Sequence, residues 1–449
     1  MTTMTSLSTQ SYKGTRDWYP EDKRVQNYIF ETWATVCRRF GYEEYATPLL
    51  EPIEVYTAKT GQEIVGEQTY LFTDRGGRDV AIRPEMTPSV SRLVAARRQE
   101  MAYPARLFSI AQFMRYERPQ RGREREFWQL NADIFGADTA AADAEIIQLG
   151  AEIMKAFGAK PTMYTIKLNN RAVIDVMMHE YLALDAVQSE LMVKLLDRRN
   201  KISAEVFRDH AIEIFGTETA PNGLKKISQL LLAKSIEDLP DAITAHESFA
   251  AVRDVMTGLK NAGIKNVRFD ATLMRGFDYY TGTVFEFFDH DLENNRSMFG
   301  GGRYDGLVGL FGAEPLSAVG IAPGLTTTEL FLRSHNLLPD FLQTSTTEAY
   351  IVVLGNALDG ATTLATKLRE EGVNTELDFT GRKPDRQIKT AVKKHIPFMI
   401  FVGEEELEKK MYNFKDVAKT EEQPLSFERI VAAIKDQRRG SSDELDDIV

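Results

Sequence analysis

Between Arg106 and Gly136 the chain reads RLFSIAQFMRYERPQRGREREFWQLNADIFG. An apolar run ends in Arg115 and Glu117. An arginine-dense stretch follows, with Arg118, Arg121, Arg123 and Arg125. A second run opens at Phe127 and carries Gln129, Asn131 and Asp133 at even spacing. This pattern predicts a β-hairpin whose turn is charged rather than short and glycine-tight. Strand residues two apart share a face, so Arg115 and Glu117 point one way, while Phe127, Gln129, Asn131 and Asp133 share one face of the partner strand. Cations, an aromatic ring and a carboxylate converging on one surface suit an anionic, nitrogen-bearing ligand such as a nucleotide. Taken alone, such a hairpin is more often a solvated edge, so the rest of the chain has to decide.

At 449 residues the chain is long enough for two or three domains with full cores. Its hydrophobic content of 43% and charged content of 27% are those of a soluble globular protein. A single cysteine, Cys37, excludes intrachain disulfides and fits a reducing, cytoplasmic setting. No run approaches the roughly 18 apolar residues of a membrane span, and the first dozen residues lack the apolar core of an export signal. A formal charge of -11 argues against a general nucleic-acid coat protein but leaves room for a folded RNA bound through local basic patches. The histidines (His179, His210, His246, His290, His335 and His395) form no close ligand set with Cys or Glu, so no fixed protein metal site is expected. Neither a Ser-His-Asp signature nor a GxxxxGK[ST] phosphate loop is present.

The hydrophobic period assigns a helix to 23–40, ended by Gly41, and a strand to YEEYATPLLEP that stops at Pro48 and Pro52. A Gly-Gly turn joins strands at 71–74 and 80–83. Thr87 then stands before Pro88 as an N-cap stands before a proline in the first helical turn, which places Glu85 at a strand-to-helix junction. A helix over 141–157 and a strand over 164–168 follow. Helical patterns alone fill 171–259, and strands return at 267–270 and 283–287. The run FGGGRYDG at 299–306 predicts a glycine turn, with positive φ and close approach of backbone to a ligand. A small-residue strand at 317–322 leads into a helix through Arg333. Beyond a Pro- and Thr-containing linker, residues 350–402 alternate βαβαβ, the pattern of a small α/β domain with a largely parallel sheet.

KGTRDWYPE near the start, the helix and strand ending at Pro48, the hairpin from Arg106, RGFDYYTGTVFE at 275–286 and GGRYDGL at 301–307 occur in this order. Together they resemble the histidyl-tRNA synthetase family, within the class II aminoacyl-tRNA synthetases, over roughly Tyr12 to Gln437. The resemblance implies an α+β fold: an antiparallel six-stranded sheet with flanking helices, a helical insertion domain, and a C-terminal α/β anticodon-binding domain. It implies a disordered tail over 1–12, a catalytic domain over 13–335 with the insertion at about 172–258, a linker at 336–347, the anticodon-binding domain at 348–437 and an acidic disordered tail at 438–449. The activity implied is histidine–tRNA ligase. Histidine attacks the ATP α-phosphorus to give histidyl-adenylate, and the 3′ end of tRNA(His) then takes the acyl group. ATP and Mg²⁺ would serve as cofactors, and a homodimer is implied, with no membrane partner.

The residue roles implied are these. Arg115 and Arg275 grip the α-phosphate from two sides, Glu117 accepts from the adenine amino group, and Phe127 stacks on adenine. Glu85, Thr87 and Gln129 receive the α-ammonium. Asp133 and Tyr280 hold the imidazole, with Tyr279 lining the same pocket. Gln120, Arg121 and Arg123 of the hairpin and Arg382, Lys383 and Arg386 of the C-terminal unit are candidate tRNA contacts. Two positions depart from the family pattern. Asp133 stands where Glu is common, shorter by one bond or about 1.5 Å. The third class II motif, Gly-x-x-x-Gly-x-Glu-Arg, here runs Gly320 to Thr327, so Thr327 replaces an arginine expected to stack on adenine, a contact of about 0.5–2 kcal/mol. Arg333 lies about a turn and a half further on. That loss raises the alternative of a non-catalytic, histidine-sensing regulatory paralogue. The presence of Arg115, Glu117, Phe127, Arg275 and the C-terminal domain favours the enzyme.

Overall fold

The computed structural model describes residues 7–57, 64–199, 202–233, 235–274, 279–294, 297–340, 345–419 and 421–448. Two compact units result. One comprises Gln26–Leu337 with the residues before Pro20, the other Leu338–Val449 with Pro20–Val25.

Eleven strands belong to the larger unit among the described residues: β1 (Glu43–Glu44), β2 (Leu50–Pro52), β3 (Tyr70–Thr73), β4 (Asp79–Ile82), β5 (Ala105–Met114), β6 (Glu126–Phe135), β7 (Tyr164–Asn170), β8 (Val267–Phe269), β9 (Thr283–Asp289), β10 (Ser297–Arg303) and β11 (Ala318–Ile321). The main sheet has the order β1-β5-β6-β11-β10-β9-β7-β8. Its middle six strands, β5 to β7 in that order, pair antiparallel throughout. The expected six-stranded antiparallel sheet is therefore present, widened by short parallel strands at each edge, β1 on β5 and β8 on β7. The segment YEEYATPLLEP is not one strand. It gives β1 to the main sheet and β2 to a separate three-stranded sheet, β2-β4-β3. Pro48 lies between them, and its missing N–H and fixed φ interrupt any continuous ladder.

The helix Pro20–Arg39 buries Ile29, Trp33, Val36 and Cys37, as its period predicts, and Gly41 follows its end at φ +76°. The helix Thr87–Ala96 starts one residue early: Met86 is the N-cap, and Thr87 is already helical and makes no cap bond. Helices fill 171–175, 186–198, 204–215, 220–232, 241–244 and 249–261, with no strand among the described residues between β7 and β8. No described helix is long and apolar enough to cross a membrane.

The run FGGGRYDG is not a turn. Gly300, Gly301 and Gly302 lie inside β10, and none has a left-handed backbone. Close approach is the reason for glycine here. A Cβ on Gly301 would stand 2.0 Å from the Gly320 carbonyl oxygen, one on Gly300 2.4 Å from the Phe285 oxygen, and one on Gly302 2.8 Å from the Tyr280 ring.

The smaller unit contains β12 (Ala349–Val353), β13 (Thr375–Leu377), β14 (Phe398–Val402), β15 (Tyr412–Asp416) and β16 (Glu421–Leu425), in the order β13-β12-β14-β15-β16. The first three are parallel, as expected; β15 and β16 add an antiparallel hairpin that the sequence reading missed. Polar residues alternate with Tyr412, Phe414 and Leu425 on one buried face, a pattern masked by the charges around it. The last helix, Phe427–Ile448, runs through the stretch expected to be a disordered acidic tail. Ile430, Val431 and Ile434 bury its first turns, and extending a nucleated helix costs little per residue.

All three tryptophans, Trp18, Trp33 and Trp128, lie in the larger unit. Their fluorescence in a urea titration should therefore show Gly301→Ala destabilised by about 1–3 kcal/mol, the usual cost of forcing a methyl into packed backbone. An unchanged midpoint would mean that β10 and β11 separate without cost.

Candidate active site

A cavity of about 490 Å³ opens on the face of the main sheet. Its walls come from β6, from the hairpin loop after β5, from the start of the helix Thr87–Ala96, from β10, and from the start of the helix Leu325–Ser334. The residues singled out on alternate positions of β6 do share this surface: Phe127, Gln129 and Asn131 all line it.

At one end, Phe127 packs against Phe113 with ring centroids 5.5 Å apart. The Arg115 guanidinium lies 5.2 Å over the Phe127 ring, and its Nε donates to the Pro84 carbonyl at 2.8 Å. Glu117 lines the same end, its carboxylate 2.8 Å from Arg123 Nε. The loop carrying these residues is charged, as expected, yet it also contains a tight turn. Gln120 and Arg123 exchange backbone hydrogen bonds at 3.0 and 2.9 Å around Gly122, at φ +74°. At the tip, Arg121 is bound to Glu293 and Asn294 and does not line the cavity. Arg123, read from the sequence as a candidate RNA contact, borders the cavity with its side chain 50% exposed. Among the described residues, it and Arg115 are the two cations lining the cavity.

Thr327 also lines the cavity, but its hydroxyl donates to backbone, to Met298 O at 2.7 Å and to Gly324 O at 3.1 Å. Arg333 is paired with Glu329 at 2.8 Å and is absent from the lining, so it does not take the vacant arginine's place. Thr326 donates to Glu124 of the hairpin loop at 2.8 Å. Arg16 pairs with Glu329 at 2.8 Å and stacks 3.6 Å over Trp18. The helix that carries the third motif is thereby fastened to both the hairpin and the N-terminal segment.

At the other end, the Tyr279 hydroxyl donates to Glu85 at 3.0 Å and to Thr87 at 3.3 Å. Burial and then the Glu85 charge hold its phenol well above the ordinary range. Tyr280 meets Tyr279 edge-on, centroids 5.1 Å apart, and its phenol is raised by burial and by the Glu85 and Asp133 charges. Gln129 uses its amide N–H₂ to reach Ala322 O at 3.0 Å. Asp133 lies deeper and is not directly bonded to Tyr280. Its partner is Tyr304, whose hydroxyl donates to Oδ1 at 2.5 Å. Burial pushes Asp133 up to about 7, against the lowering effect of that hydrogen bond, and its Oδ2 is buried with no hydrogen-bond partner. Gly320 makes room for it: a Cβ there would lie 2.0 Å from Oδ1.

Sequence reasoning missed Tyr304, although the GGRYDGL run that contains it was singled out. It also missed Asn131 as a site residue; this side chain lines the cavity with a buried, unpaired Oδ1. Arg275 falls outside the described residues. Arg382 is held by Asp378 and Thr380 within the smaller unit, while Lys383 and Arg386 are exposed. No group of three His, Cys, Asp or Glu side chains suited to a metal occurs among the described residues. The cavity carboxylates Glu85, Glu117, Glu124 and Glu286 form no such group, a donor set that fits a divalent ion held chiefly by a ligand's own phosphates.

The sheet and its cavity are those of a class II aminoacyl-tRNA synthetase. The family model described as histidyl-tRNA synthetase matches residues 14–327, and the model described as anticodon binding domain matches 348–437. The histidine–tRNA ligase of Leptospira biflexa serovar Patoc is 39% identical over 438 residues, covering 96% of this chain and 98% of its own. Among solved structures, histidyl-tRNA synthetase from Nostoc sp. PCC 7120 superposes with a TM-score of 0.79 at 22% identity, over 96% of this chain and 100% of that one. A protein titled ATP phosphoribosyltransferase regulatory subunit/histidyl-tRNA synthetase, from Bacillus halodurans C, gives 0.71 at 23%, over 88% and 99%. These two superpositions speak to fold alone. The chain belongs to the histidyl-tRNA synthetase family.

The buried carboxyl has a sign that can be measured. An unfolded Asp titrates near ~3.9, whereas Asp133 in the native state titrates at about 7. Between those values the unfolded chain releases a proton that the native chain keeps. Native stability therefore falls as pH rises through the window, by on the order of 4 kcal/mol. Asp133→Asn removes this term. Its stability relative to wild type should rise from pH 4 to 7 and then level off in urea titrations; a difference independent of pH would rule out the shifted carboxyl.

Proposed function

We propose that the chain is a histidine–tRNA ligase, which activates histidine with ATP and transfers it to the 3′ end of tRNA(His). One observation carries this reading. A single cavity holds Phe127, Arg115 and Glu117 at one end and the Glu85–Thr87–Tyr279–Tyr280 cluster at the other, so a nucleotide and an amino acid can meet head to head. Adenine lies on Phe127 with its amino group donating to Glu117. The amino acid's ammonium donates to Glu85, Thr87 and the free oxygen of Gln129. Asp133, through Oδ2, and Tyr280 meet the imidazole nitrogens.

The histidine carboxylate oxygen attacks the α-phosphorus, the bond to the bridging oxygen breaks, and pyrophosphate leaves. Arg115 and Arg275 neutralise charge on the α-phosphate as it develops. When bound with ATP, Mg²⁺ would supply charge neutralisation for the leaving pyrophosphate, with the cavity carboxylates Glu117, Glu124 and Glu286 as the protein groups that would help hold it. A ribose hydroxyl of tRNA then attacks the acyl carbonyl and releases AMP. The cation missing at Thr327 is supplied by Arg123, which reaches the cavity beside Glu117.

A second reading, a histidine-sensing regulatory paralogue, is favoured by Thr327 alone. Histidine-dependent ATP–pyrophosphate exchange separates the two. The wild-type protein should exchange, and Arg275→Ala should abolish exchange without changing the unfolding midpoint. No exchange by the wild type would favour the regulator.

We also propose a homodimer built on the three-stranded sheet β2-β4-β3. Leu50 and Phe72, on one face with Pro52, Val80 and Ile82, are 47% and 45% exposed, an apolar surface larger than scattered single residues make. Leu50→Asp with Phe72→Asp should shift the protein from dimer to monomer in sedimentation; a wild-type monomer would refute the interface.

A further inference from the structure

The smaller unit displays an aromatic ring that its fold does not use. Phe379 is 78% exposed, among the most exposed of the large hydrophobic side chains. It follows β13 in a loop at the carboxyl end of the parallel strands, where α/β sheets present ligand-binding loops. The ring is not on a loose segment, because the residues on either side are tied down. The Asp378 carboxylate accepts from the Tyr350 hydroxyl at 2.8 Å, from Thr380 N at 2.9 Å and from Thr380 Oγ1 at 2.5 Å, and it holds Arg382 at 2.5 Å. Further along, the Gln387 amide, 1% exposed, donates to Arg382 O at 2.7 Å and to Val353 O at 2.9 Å, and accepts from Val353 N at 2.8 Å. Burial works against the Asp378 charge, but these hydrogen bonds outweigh it and hold the carboxyl down at about 2, so the anchor stays ionised at any physiological pH.

A large apolar ring fixed outward between two anchored residues is a surface for something flat. The charge around it says what kind of partner. Lys383 at the N-cap and Arg386 and Lys389 within the helix Pro384–Lys393 recur at three-residue spacing, and all are exposed; Asp385, also exposed, falls off that row. A chain with a formal charge of -11 thus concentrates cations beside its exposed ring. Stacking on an aromatic combined with phosphate contacts to Lys and Arg is how single-stranded nucleic acid is held.

We propose that Phe379 is a stacking platform for an unpaired base of RNA, with Lys383 and Arg386 taking the phosphates that flank it. Arg382, spent on Asp378, shapes the loop and does not read the ligand. The proposal rests on the tRNA-ligase reading and gives it a residue: the base is one exposed in the anticodon loop.

The test uses the full chain and a tRNA(His) transcript carrying 2-aminopurine at each anticodon position in turn. Stacking is worth about 1–3 kcal/mol per base, so Phe379→Ala should weaken binding by roughly 5- to 150-fold. It should also restore fluorescence that the wild type quenches at one position. Phe379→Trp should keep both affinity and quenching, and unchanged thermal midpoints for both variants exclude misfolding. Wild-type affinity in Phe379→Ala, or quenching unaffected by the substitution, would overturn the platform while leaving the ligase reading intact. No binding of the transcript by the wild type would overturn both. A self-association lost only in Phe379→Ala, with RNA binding unchanged, would assign the ring to a contact between copies of this chain and refute the proposal.

Discussion

The closeness of three adjacent backbones decides the shape of the site. β10 approaches β9 and β11 without side chains at Gly300, Gly301 and Gly302, and each glycine meets a carbonyl or a ring at a distance no Cβ tolerates. Gly320 on β11 does the same for the Asp133 carboxyl. The floor beneath Tyr280 and Asp133 is therefore main chain, which cannot rotate out of the way or collapse into the cavity. The two residues after the glycines face opposite sides of the sheet. Arg303 pairs with buried Asp143 on the helix Ala140–Ala156, its Nε 2.9 Å and Nη2 2.6 Å from Oδ1. Tyr304 reaches Asp133 on the other side. One short run thus locks the sheet to its helical layer and sets the depth of the side-chain pocket.

Much of this was legible in the residues. The alternation along β6 placed Phe127, Gln129 and Asn131 on one surface because period-2 patterning survives wherever one face is buried. The parallel strands of the smaller unit were readable from their uninterrupted apolar runs. The failures have physical causes. Gly-rich sequence is read as a turn because glycine's freedom is usually spent on φ, whereas β10 spends it on proximity. The strand pair β15–β16 carries Lys, Asp, Glu and Pro on its open face, so its half-buried alternation sinks below the noise. The split of YEEYATPLLEP between two sheets depends on tertiary pairing that no local propensity encodes. Asp133 was identified by its place in the motif; its link to Tyr304, 171 residues away, is a fact of topology.

The family pattern places a charged pair at the end of the third motif, and this chain has two threonines there. The hairpin loop brings charge to the same cavity. Glu124 meets Thr326 at the helix start, while the half-exposed Arg123 borders the cavity in its pair with Glu117. Thr327, with its hydroxyl on main chain, behaves as a spacer. A cation on a loop serves a different master from one on a helix, because the loop's own anchoring now governs where the charge sits.

That anchoring runs through the N-terminal segment. Gly14 O accepts from the backbone of Arg125 at 2.8 Å, Tyr12 from the Arg125 side chain at 2.9 Å, and Arg16 grips Glu329 across 313 residues of sequence. Contacts so distant along the chain carry a larger loop-closure entropy than local ones. Arg16 can grip Glu329 only where the helix Leu325–Ser334 presents it, whereas Tyr12 and Gly14 need only the hairpin. The hairpin loop is thus clasped from both directions of the chain, by Tyr12 113 residues before Arg125 and by Thr326 202 residues after Glu124.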